Sequence, residues 1–134
     1  MKQYKIEITD LAEQDLENAG DYIAYELKNP SAAENTVSGI RKQINSLVDF
    51  PERNELDEDE VLAQLGVRKD YYRNYKIYYI ISEDTIYIVR ILHMLVDSRA
   101  WLYRTFGLKW KDIIAYRNIG FDVFFSFILM FFII

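Results

Sequence analysis

The apolar residues of this chain change their period part-way along, and that change constrains the fold more than any other feature. Ala12, Leu16, Ala19, Ile23 and Leu27, then Ala33, Val37, Ile40, Ile44 and Leu47, recur at three- and four-residue spacing, which puts each set on one helix face. Beyond Val67 the pattern becomes strand-like: Tyr75 to Ser82 and Ile86 to His93 are rich in Tyr, Ile and Val and flank Glu83-Asp84-Thr85, a polar connection of hairpin length. At the other end Tyr4, Ile6 and Ile8 alternate with Lys5 and Glu7, as in a half-buried strand. Helices and strands are therefore segregated along the chain, which gives an α+β domain rather than an alternating α/β one.

The punctuation agrees. Asp10 followed by Glu13 reads as a capping box for the first helix, and Asn29-Pro30 stops it, since a proline disfavours helical geometry in the residue before it. Ser31 with Glu34 restarts the pattern, and the second helix ends before Phe50-Pro51, so the pair forms an antiparallel hairpin. Glu52, Glu55, Asp57, Glu58, Asp59 and Glu60, against the single Arg53, cannot be buried and read as a solvated loop or a frayed helical turn. Val67 to Tyr71 adds a short strand, and Asp97 to Tyr103 a final helical turn. The predicted order is β-α-α-β-β-β, with the helical hairpin packed on one face of an antiparallel sheet.

Several chemistries lack their minimum parts. There is no cysteine, which removes disulfides, thiolate nucleophiles and Cys-based zinc sites and is compatible with a reducing cytoplasm. One histidine cannot form a metal cluster, and the dinucleotide, P-loop and HExxH spacings are missing, so no cofactor and no metal is expected. A net charge of −5 argues against bulk phosphate binding, yet Gly66 to Arg104 is locally basic through Arg68, Lys69, Arg73, Lys76, Arg90, Arg99 and Arg104. The opening Met1-Lys2-Gln3-Tyr4-Lys5 is followed by no signal-like apolar core, so a cytoplasmic location is expected.

These residues, in this order, resemble the RelE/ParE superfamily of toxins over about Met1 to Leu108. Ala12-Glu13-Gln14-Asp15-Leu16 is similar to the family's Ala-x-x-Asp-Leu helix start, and Gly66-Val67-Arg68 to its glycine-arginine step. Tyr75-Lys76-Ile77-Tyr78-Tyr79 is similar to its Tyr-Arg-aliphatic-aliphatic-Tyr strand, and Ile86 to His93 to its final strand. The resemblance implies a small cytoplasmic toxin of a type II toxin-antitoxin system, of the plasmid-stabilisation type, silenced by a cognate antitoxin that wraps a groove. It implies one of two targets: messenger RNA on the ribosome, cut by RelE-like members, or DNA gyrase, bound by ParE-like members.

The residues discriminate between these. Cleavage through a 2′-hydroxyl needs a base, an acid and cations around the phosphorane. His93, with an ordinary pKa of about 6.5, Lys76 and Arg90 are the catalytic candidates if the chain is a nuclease. Arg68, Arg73 and Tyr78 are candidates for contacting a target or the antitoxin. On a regular last strand Ile86, Ile88, Arg90 and Leu92 point one way and Tyr87, Val89, Ile91 and His93 the other, so Arg90 and His93 share a side only if a bulge or the strand's end intervenes. Lys76 and Tyr78 share a face with each other, and the open side of the sheet is expected to offer a cationic groove. Two departures weigh against RNA cleavage. Lys76 replaces an arginine and its bidentate fork, and Met94-Leu95-Val96-Asp97 stands where many members have glycine-arginine-arginine-aspartate. A ParE-like toxin that binds a protein, with an RNA nuclease or a degenerate antitoxin-binding module as the alternatives, is the resulting expectation. The plainer readings are a hydrogen-bonded strand-end His93, surface arginines, and Tyr71-Tyr72 and Tyr78-Tyr79 as strand formers.

The expected toxin domain is residues 1–105. Residues 106–134 form an apolar extension, in which Phe121 to Ile134 is broken only by Asp122 and Ser126. As a helix that run would span about 21 Å, short of a hydrocarbon core of about 30 Å. Three readings stay open, a segment packed on the domain or on a second copy, a marginal membrane anchor, and an extension with no role; membrane contact is disfavoured and the extension without a role ranks slightly first.

Overall fold

Caps decide where each helix begins. The computed structural model describes residues 2–108, and in it strand β1 (Lys5–Ile8) leads directly into helix α1 (Asp10–Asp21). The N-cap is Thr9 rather than the expected Asp10. Its hydroxyl accepts from the Ala12 N–H at 3.3 Å and donates to the Ile88 carbonyl at 2.8 Å, a placement no residue inside the helix could reach. Glu13, expected to complete a capping box, instead takes a bidentate pair of hydrogen bonds from Arg41 of the second helix at 3.1 and 2.9 Å. The first helix ends in a π-helical turn, Tyr22–Glu26, closed by the Leu27 N–H on the Tyr22 carbonyl at 3.2 Å.

Helix α2 (Pro30–Ser46) shows why Asn29-Pro30 is more than a stop. Asn29 is its N-cap, accepting from the Ala32 N–H at 3.1 Å, and Pro30 occupies the first turn, where its missing N–H costs nothing. The capping box read at Ser31 and Glu34 thus lies inside the helix. A 3-10 turn (Pro51–Arg53) and a short helix α3 (Glu60–Gln64) follow, then β2 (Val67–Tyr72), β3 (Tyr75–Ser82), β4 (Thr85–His93) and α4 (Ser98–Thr105). Among the described residues no helix is long and apolar enough to cross a membrane.

The sheet order is β1-β4-β3-β2, with β2, β3 and β4 an antiparallel meander and β1 parallel to β4. The fold is α+β and its sheet is mostly antiparallel. Both hairpins turn in two residues whose first, Arg73 (φ 51) and Glu83 (φ 56), is left-handed, which matches strand twist. Ala12, Leu16, Ala19, Ile40, Ile44 and Leu47 pack on Tyr75, Ile77, Tyr79, Ile86, Ile88 and Ile91, so the helical hairpin covers one sheet face. On the other face Tyr78, Ile80, Val89 and Leu92 meet Leu62, Leu65, Leu102, Phe106 and Leu108 from α3, α4 and the residues after α4. Each fully buried Leu or Ile contributes about 1.5–3 kcal/mol relative to exposure.

A bulge corrects the alternation expected on β4. Ile88 pairs with Tyr79 and Arg90 with Tyr78, leaving Val89 extra. Past it the faces exchange, so that Ile91 joins the helical side and Leu92 the opposite core.

The acidic run is tied down more than a solvated loop would be. Leu56 bridges to Arg68 at the β2 edge, the Asp57 N–H donates to the Val67 carbonyl at 2.8 Å, and Asp59 caps α3 through the Leu62 N–H at 3.1 Å. This segment covers the free edge of β2, which would otherwise present unpaired backbone groups. Glu52, Glu55, Glu58 and Glu60 remain exposed, as their charges require.

Candidate functional site

Strand parity sorts the candidate residues onto different surfaces. Lys76 and Tyr78 share the face of β3 turned away from the helical hairpin, and the β2 to β3 register sets Lys69 directly opposite Tyr78. Arg68 is one residue out of phase, opposite Tyr79, so it lies on the helical side, where it donates to the Asn54 carbonyl. Arg73 sits exposed at the hairpin tip, its guanidinium 5.3 Å from the centre of the Tyr72 ring.

Arg90 is committed elsewhere. At the bulge its Nε and a terminal nitrogen both donate to the Asp15 carboxylate at 2.7 Å, its other nitrogen donates to Thr105 Oγ1 at 2.9 Å, and its guanidinium lies 5.2 Å from the Trp101 ring. Asp15 also accepts from the Ile91 N–H at 2.9 Å, so it closes the edge of β4 just beyond the reach of β1. Both side chains are about nine-tenths buried. The Ala12-Glu13-Gln14-Asp15-Leu16 run thus has a physical meaning: Ala12 and Leu16 face the core, and Asp15 clamps helix to strand.

Two cavities hold the catalytic candidates, and the clamp lines only the second of them. The larger, about 710 Å³, lies on the open sheet face between α3 and α4 and is lined by Lys69, Lys76 and Tyr78 on its floor and Asp57, Glu58, Asp59 and Asp97 around it. Lys76 Nζ donates to the Val96 carbonyl at 3.3 Å, and burial, with Lys69 nearby, holds it below the usual lysine range. Lys69 pairs with Glu58 at 3.6 Å. Burial opposes its charge, but the ring hydroxyls of Tyr71 and Tyr78 and the carboxylates of Asp57 and Glu58 outweigh that and raise it. Asp59 is occupied by Arg99 at 2.9 Å and by the Tyr103 hydroxyl.

The second cavity, about 500 Å³, opens at the end of β4 and is lined by Asp15, Ala19, Tyr22, Tyr75, Arg90, His93 and Trp101 among others. His93 packs edge-on against Tyr75 with ring centres 5.4 Å apart, and its Nδ1 accepts from the Leu95 N–H at 3.2 Å.

The structure therefore brings Lys76 and Tyr78 together, and His93 with Arg90, but the two pairs line different cavities. Arg68, Lys76 and Arg90 form no common cationic groove, and the open face is bordered by carboxylates. Lys69 was not among the expected site residues, though a two-residue turn at Arg73-Asn74 dictates its place opposite Tyr78. Tyr75 stood out only as the first residue of the Tyr75 to Tyr79 strand run, and Trp101 left no sequence signal beyond aromaticity. No group of three metal-ligating side chains occurs among the described residues.

Comparison with known proteins agrees with the fold. The family model described as the ParE toxin of the type II toxin-antitoxin system, parDE, matches residues 6–97. Among solved structures, the chromosomal ParDE system of P. aeruginosa is similar at 21% identity with a TM-score of 0.59, covering 68% of this chain and 96% of that one. The RelBE2 toxin-antitoxin complex of Mycobacterium tuberculosis is similar at 21% identity with a TM-score of 0.50, covering 68% and 98%. No curated protein sequence matches.

Proposed function

This chain belongs to the RelE/ParE superfamily as a toxin of the type II toxin-antitoxin class, and from that premise we propose that it acts in the ParE manner, by binding a protein target, with DNA gyrase the first to test. A cognate antitoxin is its proposed partner, and the cytoplasm its proposed location. The observation that carries this reading is the arrangement of cations. Arg90 is spent on Asp15 and Thr105, and His93 and Lys76 line separate cavities. Stabilising a phosphorane needs preorganised cations around one phosphate. A ring of carboxylates on the open face instead repels a phosphodiester chain and suits a protein surface. Arg68, Arg73 and Tyr78 are assigned no RNA chemistry in this reading; Arg73, at an exposed hairpin tip, is the one free to touch a partner.

Induced expression is expected to halt growth, and co-expression of the neighbouring small gene to relieve it. Purified protein is expected to inhibit gyrase supercoiling, while transcript ends mapped after induction stay unchanged. New ends inside translated frames would mean RNA cleavage, and a growth curve indifferent to induction would mean a non-toxic binding module. Either result overturns the proposal.

A further inference from the structure

The cavity at the end of β4 carries an unused hydrogen-bonding group in an apolar setting. Its floor is the buried Ala19, Ile91 and Leu92, and its walls are the rings of Tyr22, Tyr75 and Trp101. Tyr75 is only 9% exposed, yet its hydroxyl has no hydrogen-bond partner within the described chain. No sealed side-chain oxygen is left unpaired among the described residues, so that hydroxyl is reached by solvent, and Tyr75 is one of the residues lining this cavity. Beside it, His93 Nδ1 accepts from a backbone N–H, so in the neutral ring the proton sits on Nε2 and makes a second donor. No free carboxylate answers these donors, because Asp15 is saturated by Arg90 and the Ile91 N–H.

The rim is unusually apolar for a surface: Leu95 is 87% exposed and Tyr22 55%. Tyr22 begins the π-helical turn, an irregularity that frequently marks functional sites. At about 500 Å³ the space suits a bulky side chain and its backbone rather than a single water. Large apolar anchors inserted into such aromatic pockets dominate protein interfaces. Asp15 occupies the edge of β4, so a partner strand cannot extend the sheet here and must enter by its side chain.

We infer that this cavity is the anchor socket for the partner antitoxin, taking one apolar side chain from a segment whose main-chain carbonyls accept from the Tyr75 hydroxyl and His93 Nε2. The inference rests on the reading above that the chain has such a partner. It separates this socket from the open-face cavity, whose rim carries Asp57, Glu58, Asp59 and Asp97, where the socket has aromatic rings and a single, paired carboxylate.

The test uses the full chain and the purified product of the neighbouring gene, with affinity measured by calorimetry. Tyr75→Phe removes only an oxygen that makes no internal bond. It should leave the melting temperature unchanged and weaken binding about fivefold, the worth of one neutral hydrogen bond. Leu95→Asp, on an exposed side chain, should weaken binding about tenfold or more with the fold intact. Phe50→Asp, also on an exposed apolar side chain but one outside the cavity lining, should change affinity less than about twofold. Tight binding by wild type together with undiminished binding by Tyr75→Phe and Leu95→Asp would overturn the socket alone. Equal losses in Leu95→Asp and Phe50→Asp would do the same, since the cavity would then be one part of a broad apolar cover. Absence of binding by wild type would instead remove the partner reading on which it stands.

Discussion

Removing the Asp15 carboxylate would leave the Arg90 guanidinium nine-tenths buried with only Thr105 and the Trp101 face for company, and would strip the Ile91 N–H of its acceptor. Breaking one side of a buried pair costs about 3–5 kcal/mol. Asp15→Ala is therefore expected to lower the unfolding free energy by about that much in chemical denaturation, and a loss under about 1 kcal/mol would contradict the clamp. The tyrosines make a second prediction at this scale. Burial raises the hydroxyls of Tyr75, Tyr78 and Tyr79 above their usual range. The native chain then holds these protons more tightly than the unfolded one, so stability is level below the ordinary tyrosine value of about 10 and falls as pH rises past it. Denaturation midpoints measured from neutral to strongly alkaline pH should show that fall, and Tyr79→Phe should make it shallower. At the residue scale little of this was legible. The Asp15 and Arg90 partnership joins positions far apart in sequence, and nothing local marks either as the other's counter-ion.

At the scale of elements the sequence was more informative, and its errors are instructive. Both helices and all four strands lie where periodicity places them, because a stripe of apolar residues can be buried in only one conformation. The caps were displaced by a residue or two. Thr9 and Asn29 took the N-cap positions from Asp10 and Ser31, since capping depends on where the preceding chain comes from as well as on side-chain type. The bulge at Val89 was invisible, for an extra residue leaves the composition of a strand unchanged while swapping its faces. Gly66 offers a test here. It ends α3 with a left-handed φ of +83, and a Cβ there would come no closer than 4.0 Å to Ile80. Gly66→Ala should cost about 1–2 kcal/mol from backbone strain alone. A melting temperature equal to wild type would show that the turn relaxes to another geometry.

For the whole molecule, the open-face core draws on Phe106 and Leu108, both past the boundary expected at residue 105, whereas the apolar run from Phe121 lies outside the described residues. A chain ended at Leu108 is expected to melt cooperatively. One ended at Thr105 should lose about 1.5–3 kcal/mol for each of the two missing side chains. Parallel thermal melts decide it, and equal stabilities would remove Phe106 and Leu108 from the core. The sequence by itself determined the α+β class, the order of the elements and the family, because these follow from local spacing and from short runs of residues. Only the tertiary structure decided which cations meet which anions and which residues share a cavity. Those outcomes depend on register, on a single bulge and on the crossing of α1 over the end of β4, and each sets side chains together that the chain keeps dozens of positions apart.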